Sequence, residues 1–264
     1  MNLFEYIFLI FITILPTILL WIYINKLDKR KEPREVLIKM FTAGVLSAVV
    51  TLIITLLVCF IFPWFMEYEV KLSINGFLYV FLGIGLIEEA SKFLMMYLFG
   101  WKEENLDETY DIVLYCMLVA LGFATLENIL YSLDGTLSTA IMRLFTAVPG
   151  HVIDGAFMGY FVYKMKTTNR NIQNLALAIM VPALTHTIYD FIALTATNFI
   201  GIFIFIIFVI LEFIIAIKLV KNISKNSKSL AENVSFCTNC GSLVNTNFCT
   251  NCGNRNENKK NVDF

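Results

Sequence analysis

Charge is what this sequence has least of. Only 16% of its 264 residues are Asp, Glu, Lys or Arg, against about 25% in an ordinary water-soluble domain. The net charge of −1 leaves no surplus of Lys and Arg to meet a phosphate backbone, so no nucleic-acid partner is expected. An apolar content of 58%, with 24 Phe, excludes a disordered chain, and the composition is not that of a disulfide-rich secreted scaffold. A cleavable leader is not expected either. The first apolar stretch carries Glu5 with no Lys or Arg before it, runs too long, and meets no small-residue cleavage site, so it is expected to stay as an anchor. What remains is an all-α polytopic membrane protein.

Seven stretches are apolar and long enough to cross a hydrocarbon core, which takes roughly 20 helical residues. They fall near 3–25, 40–64, 76–99, 112–131, 138–163, 174–196 and 200–220. Such continuous stretches suit helices and not barrel strands, so a bundle of about seven transmembrane helices is expected over residues 1–222. Lys26, Lys29, Arg30, Lys31, Arg34 and Lys39 follow the first span, and Lys102 the third. Lys164, Lys166 and Arg170 follow the fifth, and Lys218, Lys221, Lys225 and Lys228 close the seventh. Lys71 alone lies opposite, with Lys92 and Arg143 inside spans. The positive-inside rule then puts a multi-pass protein in the cell membrane with its N-terminus outside and its C-terminus in the cytoplasm.

After a linker at 223–235 the composition turns to Asn, Ser and Cys. Phe236-Cys-Thr-Asn-Cys-Gly241 recurs letter for letter as Phe248-Cys-Thr-Asn-Cys-Gly253. Each copy offers two thiolates from one tight turn, so Cys237, Cys240, Cys249 and Cys252 can close a tetrahedral structural Zn²⁺ site over 236–253. A reducing cytoplasm disfavours disulfides, whereas an iron centre on the same knuckles is not separated from zinc by spacing. Residues 254–264 read as a polar tail, and Cys59 and Cys116 as packing residues within spans.

Ionisable residues inside a membrane cost several kcal/mol by insertion scales and mark function. Glu88, Glu89 and Lys92 sit near mid-depth of the third span, and helical spacing sets Lys92 between the two carboxylates one turn on. Lys92 can hold one Glu ionised and leave the other for proton transfer. The fourth span carries Phe123, Glu127, Asn128 and Tyr131, with Glu127 and Tyr131 on one face. Both histidines of the chain lie within spans. His186 and Asp190 stand at i and i+4, so the carboxylate can orient the imidazole and favour its protonated form, while His151 and Asp154 at i and i+3 form a looser pair. Residue counting places Glu88, Glu89, Glu127, His151, His186 and Asp190 between the midplane and the outer third, where they can line one water-filled cavity. Arg143 reads equally as a site residue or as a cation reaching the interface, and Glu212 has no motif around it.

Glu88-Glu89-Ala-Ser-Lys92 matches EExxK, Phe123-Ala-Thr-Leu-Glu127 matches FxxxE, and His186-Thr-Ile-Tyr-Asp190 matches HxxxD. Together, in this order, they resemble the PrsW family of intramembrane proteases, a branch of the superfamily of CAAX prenyl endopeptidases and CPBP proteins. His151 resembles a further His that PrsW-like chains carry between the second and third motifs. The resemblance covers about residues 75–195 and implies hydrolysis of a peptide bond in a membrane-anchored, single-span substrate, by analogy a site-1 cleavage of an anti-sigma factor on the outer side.

The expected mechanism is glutamate-based. Glu88 or Glu89, poised by Lys92, takes a proton from the attacking water. His186, oriented by Asp190, shares that water or stabilises the oxyanion, and Glu127 and His151 complete the polar shell. A membrane-site metal held by His151, His186 and a Glu is possible but not favoured, because no HExxH spacing supports it. A proton-coupled transporter is a further alternative, against which no repeat between the halves is visible. A catalytically silent scaffold or sensor, with the ribbon as its working end, is a third. For the ribbon a cytoplasmic protein partner is expected.

Overall fold

A computed structural model describes residues 3–134, 136–168 and 170–230, together with 235–236, 239–240, 243–244, 251–252 and 254. Nine α-helices occur among these residues: α1 Leu3–Leu27, α2 Arg34–Ile61, α3 Ile74–Val80, α4 Leu86–Gly100, α5 Thr109–Asp134, α6 Leu137–Phe145, α7 Ala147–Thr167, α8 Asn171–Thr195 and α9 Phe199–Lys225. Four are long and apolar enough to cross a membrane, Arg34–Ile61, Thr109–Leu133, Asn171–Thr195 and Phe199–Lys225, and the part of α1 from Phe11 to Leu27 is apolar as well. Side-chain caps start three helices. Ser73, Thr136 and Asn198 each accept the N–H three residues on, which satisfies one otherwise orphaned donor of α3, α6 and α9.

Helix α5 is the centre of the bundle. It packs against α2, α7 and α1, and α7 in turn packs against α8. Lipid gives helices no hydrophobic reason to associate, so backbone approach over small residues has to supply the contact. Gly44 of α2 and Gly122 of α5 supply it here: a Cβ on Gly44 would lie 2.0 Å from the Val119 carbonyl oxygen, and one on Gly122 2.0 Å from that of Phe41. Helices α2 and α9 turn apolar side chains such as Leu52, Leu56, Ile206 and Ile210 outward, as a lipid-facing surface requires.

Two of the expected spans depart from a plain helix. The span at 76–99 is interrupted by a π-helical turn, Phe81–Gly85, between α3 and α4, a distortion that commonly accompanies functional sites. Gly85 at its end lets α4 meet α8, since a Cβ there would stand 2.5 Å from Thr187 Oγ1 and 2.8 Å from the Ala183 carbonyl. The stretch expected as one span at 138–163 is two helices, α6 and α7, broken at Thr146. Pro149 explains the break: it has no N–H to return to the Phe145 carbonyl, and its ring would collide there in a continuous helix. The short α6 packs beside α1, α7 and α5.

The segment after α9 is tied to the loop before α5. Thr109 N donates to the Lys228 carbonyl at 3.0 Å, and Ser227 Oγ donates to Glu108 Oε2 at 2.9 Å. Beyond it, Ser235–Phe236 and Leu243–Val244 pair as an antiparallel ribbon around the turn at Asn239–Cys240. Asn239 Nδ2 lies 3.8 Å from Cys252 Sγ. Cys237 and Cys249, half of the expected zinc set, lie outside the described residues.

Candidate active site

The three motifs, carried on α4, α5 and α8, converge with His151 of α7. The π turn and the Gly85 contact bring the first turn of α4 against α8, so Glu88, Glu89 and Lys92 enter the bundle with exposures of 8%, 0% and 1%. Lys92 Nζ is 2.7 Å from Glu89 Oε1 and 3.6 Å from Glu88 Oε2. The two adjacent carboxylates therefore differ: Glu89 holds the ammonium, and Glu88 stands one step off it.

Lys92 has two further partners. Its Nζ lies 3.0 Å from His151 Nδ1 and 3.9 Å from the centre of the Phe123 ring. The aromatic residue of the second motif thus gives the buried ammonium a π face. An ammonium can only donate, so His151 Nδ1 accepts. His151 Nε2 is then the protonated nitrogen, and it reaches Glu127 Oε2 at 2.7 Å. The pairing of His151 with Asp154 anticipated from their spacing is absent from these hydrogen bonds. Asp154 Oδ1 instead accepts from Thr185 Oγ1 of α8 at 2.6 Å, because the helix turns the two side chains to different neighbours.

His186 presents both ring nitrogens to carboxylates. Nδ1 is 3.0 Å from Glu89 Oε1, and Nε2 is 3.3 Å from Asp190 Oδ2 and 3.7 Å from Glu88 Oε2. The Pro182 and Val181 carbonyls, at 3.0 and 3.2 Å, are alternative acceptors for the single proton of the Thr185 hydroxyl. The two imidazoles meet edge to face with centroids 4.9 Å apart.

Arg143 joins the site because α6 lies across the mouth of α5. Its Nη2 donates to Glu127 Oε2 at 2.8 Å, its Nε to Asn128 Oδ1 at 3.1 Å, and its guanidinium carbon sits 3.9 Å from the centre of the Tyr131 ring. Asn128 is fixed in turn by its bond to the Thr13 carbonyl of α1 at 3.0 Å. The sequence signal for this role was Pro149, which stops the span that would have carried Arg143 to the interface.

A cavity of about 620 Å³ opens beside these groups, and Glu88, Glu127, His151, His186, Asp190 and Glu212 face it. Glu89, expected to share such a lining, sits with Lys92 behind Glu88 and His186 and is not part of the wall. One Glu88 oxygen, Oε2, and one Glu89 oxygen, Oε2, are buried without a hydrogen-bond partner. Ligand atoms of Glu88, Glu127 and His151 lie within 4.8 Å of one another, and so do those of Glu89, His151, Asp154 and His186. The site thus joins a carboxylate free to accept a proton, two imidazoles and donors spaced for an ion.

Residues 32–216 match the model of a family described as the PrsW family intramembrane metalloprotease. Among curated proteins, the chain is similar to Protease PrsW of Oceanobacillus iheyensis, 33% identical over 218 residues that cover 81% of this chain and 95% of the relative. It is 29% identical to Protease PrsW of Clostridioides difficile over 84% of this chain and 94% of that one. Protease PrsW of Bacillus subtilis is 31% identical over 64% of this chain and 74% of its own length. No solved structure matches the chain.

Proposed function

The chain belongs to the PrsW family of intramembrane metalloproteases, and from that premise we propose that it cuts a single-span membrane protein at the cavity between α4, α5, α7 and α8, with Glu88 as general base. The observation that carries this reading is the unequal pair: Glu89 is fully buried and bonded to Lys92 and His186, whereas Glu88 lines the cavity and meets Lys92 and His186 only at 3.6 and 3.7 Å, without a hydrogen bond to either. Glu88 takes a proton from a water in the cavity as that water attacks the scissile carbonyl. His186, 3.7 Å away and held between Glu89 and Asp190, donates to the developing oxyanion. Glu88 then returns the proton to the leaving amine. Lys92 and Glu89 position His186 and His151 and do not touch the substrate.

A metal fits the same wall. Glu88, Glu127 and His151 would hold it, with His151 Nε2 giving up the proton it shares with Glu127; their donor types suit Zn²⁺, and an ion would satisfy the orphaned Glu88 oxygen. The deeper set of Glu89, His151, Asp154 and His186 already encloses the Lys92 ammonium, so the cavity side is the one that fits. Bound there, the ion would supply Lewis-acid activation of water or carbonyl.

The substrate class is a membrane-anchored protein, by family resemblance an anti-sigma factor cut on the outer side. The basic loops support an outside N-terminus and a cytoplasmic C-terminus, and the repeated Cys knuckles support a zinc ribbon there as a site for a protein partner. The deciding experiment is proteolysis by the purified protein in liposomes against a library of single-span membrane proteins from the same cell. Cleavage is expected from the wild type and lost in folded Glu88→Ala, Glu89→Ala and His186→Ala proteins. A folded wild type that cuts no member, or a Glu88→Ala protein that still cuts, overturns the reading.

A further inference from the structure

The cavity has a second polar pole that the proposed chemistry leaves unused. Helix α9 is apolar from Phe199 to Ile217 except at Glu212, and Glu212 faces the cavity across from the motifs. It is 8% exposed, and its Oε1 is buried with no hydrogen-bond partner. Its electrostatic neighbours are Asp154, a second acidic side chain, and His186. Among the described residues that line the cavity the cationic side chain is Arg143, and its hydrogen bonds go to Glu127 and Asn128. An intramembrane acidic side chain without a partner is costly, and this one lines space large enough for a further side chain.

We propose that Glu212, with Asp154 beside it, is a recognition subsite for a basic side chain of the substrate, a Lys or Arg seated next to the scissile bond. The same wall also carries apolar residues, among them Ala193, Ala196, Ile202 and Phe205. That wall suits the methylene stem of such a residue, whose charged end then reaches the carboxylates. An acidic substrate residue would bring a third carboxyl group against Glu212 and Asp154, and an apolar one would leave Glu212 without a partner. Specificity for the residue flanking the cut bond would then come from α9, outside all three motifs. This inference rests on the protease reading only for the word substrate; the subsite itself is a binding claim.

The test uses full-length protein in nanodiscs and synthetic single-span peptides of about 25 Leu and Ala residues, each with one central Lys, Arg, Met or Glu. Binding is read by fluorescence anisotropy on the Glu88→Gln protein, and cleavage on the wild type. Lys and Arg peptides are expected to bind roughly tenfold or more tightly than the Met peptide. Glu212→Gln in the same background should bring them to parity, and Glu212→Lys should shift the preference to Glu, with thermal unfolding confirming that both variants fold. The proposal is overturned if no peptide binds, if Lys is no better than Met, or if the preference survives Glu212→Gln. A uniform loss on all peptides also overturns it, because Glu212 would then serve the backbone or the fold. Binding with the expected preference but without cleavage keeps the subsite and removes the protease reading.

Discussion

Lys92 Nζ and His151 Nδ1 stand 3.0 Å apart inside the bundle. One is a cation that can only donate, so the other must accept. That contact settles which nitrogen of His151 carries its proton, and through it the donor to Glu127. Lys92 thereby links the first motif to the second across two helices, besides neutralising Glu89.

Replacing Lys92 by Met should therefore do more than loosen an ion pair. Glu89 would be left buried without its cation, which costs about 3–5 kcal/mol when one partner of a buried pair is removed. His151 would lose the donor that fixes its tautomer. Activity should fall below detection, and the variant should unfold at lower SDS fraction than the wild type. Histidine nitrogen-15 shifts provide the separate readout: a His151 still protonated at Nε2 alone in Lys92→Met would show that the ammonium does not set the tautomer.

Glu88→Gln and Glu89→Gln should separate by stability, not by activity. Both should reduce cleavage, Glu88→Gln by about 10²–10⁴-fold if it is the general base. Glu88 meets the cavity and lies 3.6 Å from Lys92, so its variant should unfold within about 1 kcal/mol of the wild type. Glu89→Gln strands the Lys92 charge and should be the less stable by several kcal/mol. Equal stabilities would remove the division of labour between the two carboxylates.

How far the sequence goes is visible in these same residues. Ionisable groups in apolar stretches stand out, so Glu88, Glu89, Lys92, Glu127, His151, His186 and Asp190 were legible, and the structure brings them together. Their partners were less so. Spacing on one helix suggested Asp154 for His151, but the ring turns toward α4 and α5, and Asp154 turns to Thr185. Which of two adjacent Glu residues faces open space depends on the rotation of α4 against α8, and no periodicity records that. The role of Arg143 hid behind a hydrophobic stretch that Pro149 breaks, and that of Glu212 behind the placement of α9.

Arg143 should prove a positioning residue. Its two bonds hold Glu127 and Asn128 in register with α1, a fork that Lys does not reproduce. Arg143→Lys should keep the charge but lose the second bond, lowering kcat more than it raises KM, and Arg143→Ala should lower it further. A purely interfacial cation predicts no change in either constant for Arg143→Lys, so steady-state kinetics on one cleavable peptide decides.

Between α1 and α2, outside the spans, Glu32 should make stability depend on pH. Burial pushes its carboxyl up from 4.5 to about 7, Asp28, Asp107 and Glu103 add to the rise, and the hydrogen bond from Tyr115 Oη at 2.8 Å opposes it. The folded state therefore holds this proton more tightly than the unfolded state. Its contribution is full below pH 4.5, declines as pH rises through about 7, and stays absent above. Glu32→Gln keeps an acceptor for Tyr115 without the charge. It should be more stable than the wild type at pH 8 by about 1–3 kcal/mol and indistinguishable at pH 4. Parallel melting curves for the two proteins across that range would exclude the effect.

Metal in the membrane site and metal in the tail can be told apart by removing the tail's ligands. The proposed ion of the Cys237, Cys240, Cys249 and Cys252 quartet rests on a closed set of four thiolates in the sequence, and the segment before it is pinned to the loop ahead of α5. A variant with all four replaced by Ser should lose one zinc per chain by elemental analysis and still cleave. Loss of cleavage along with the zinc would make the ribbon part of the enzyme and not an appendage. With the tail site gone, chelation addresses the bundle alone. Cleavage that stops on chelation and returns with Zn²⁺ would put the ion at Glu88, Glu127 and His151. Cleavage that continues leaves Glu88 to activate water unaided, with the charges around it already set by Lys92 and Arg143.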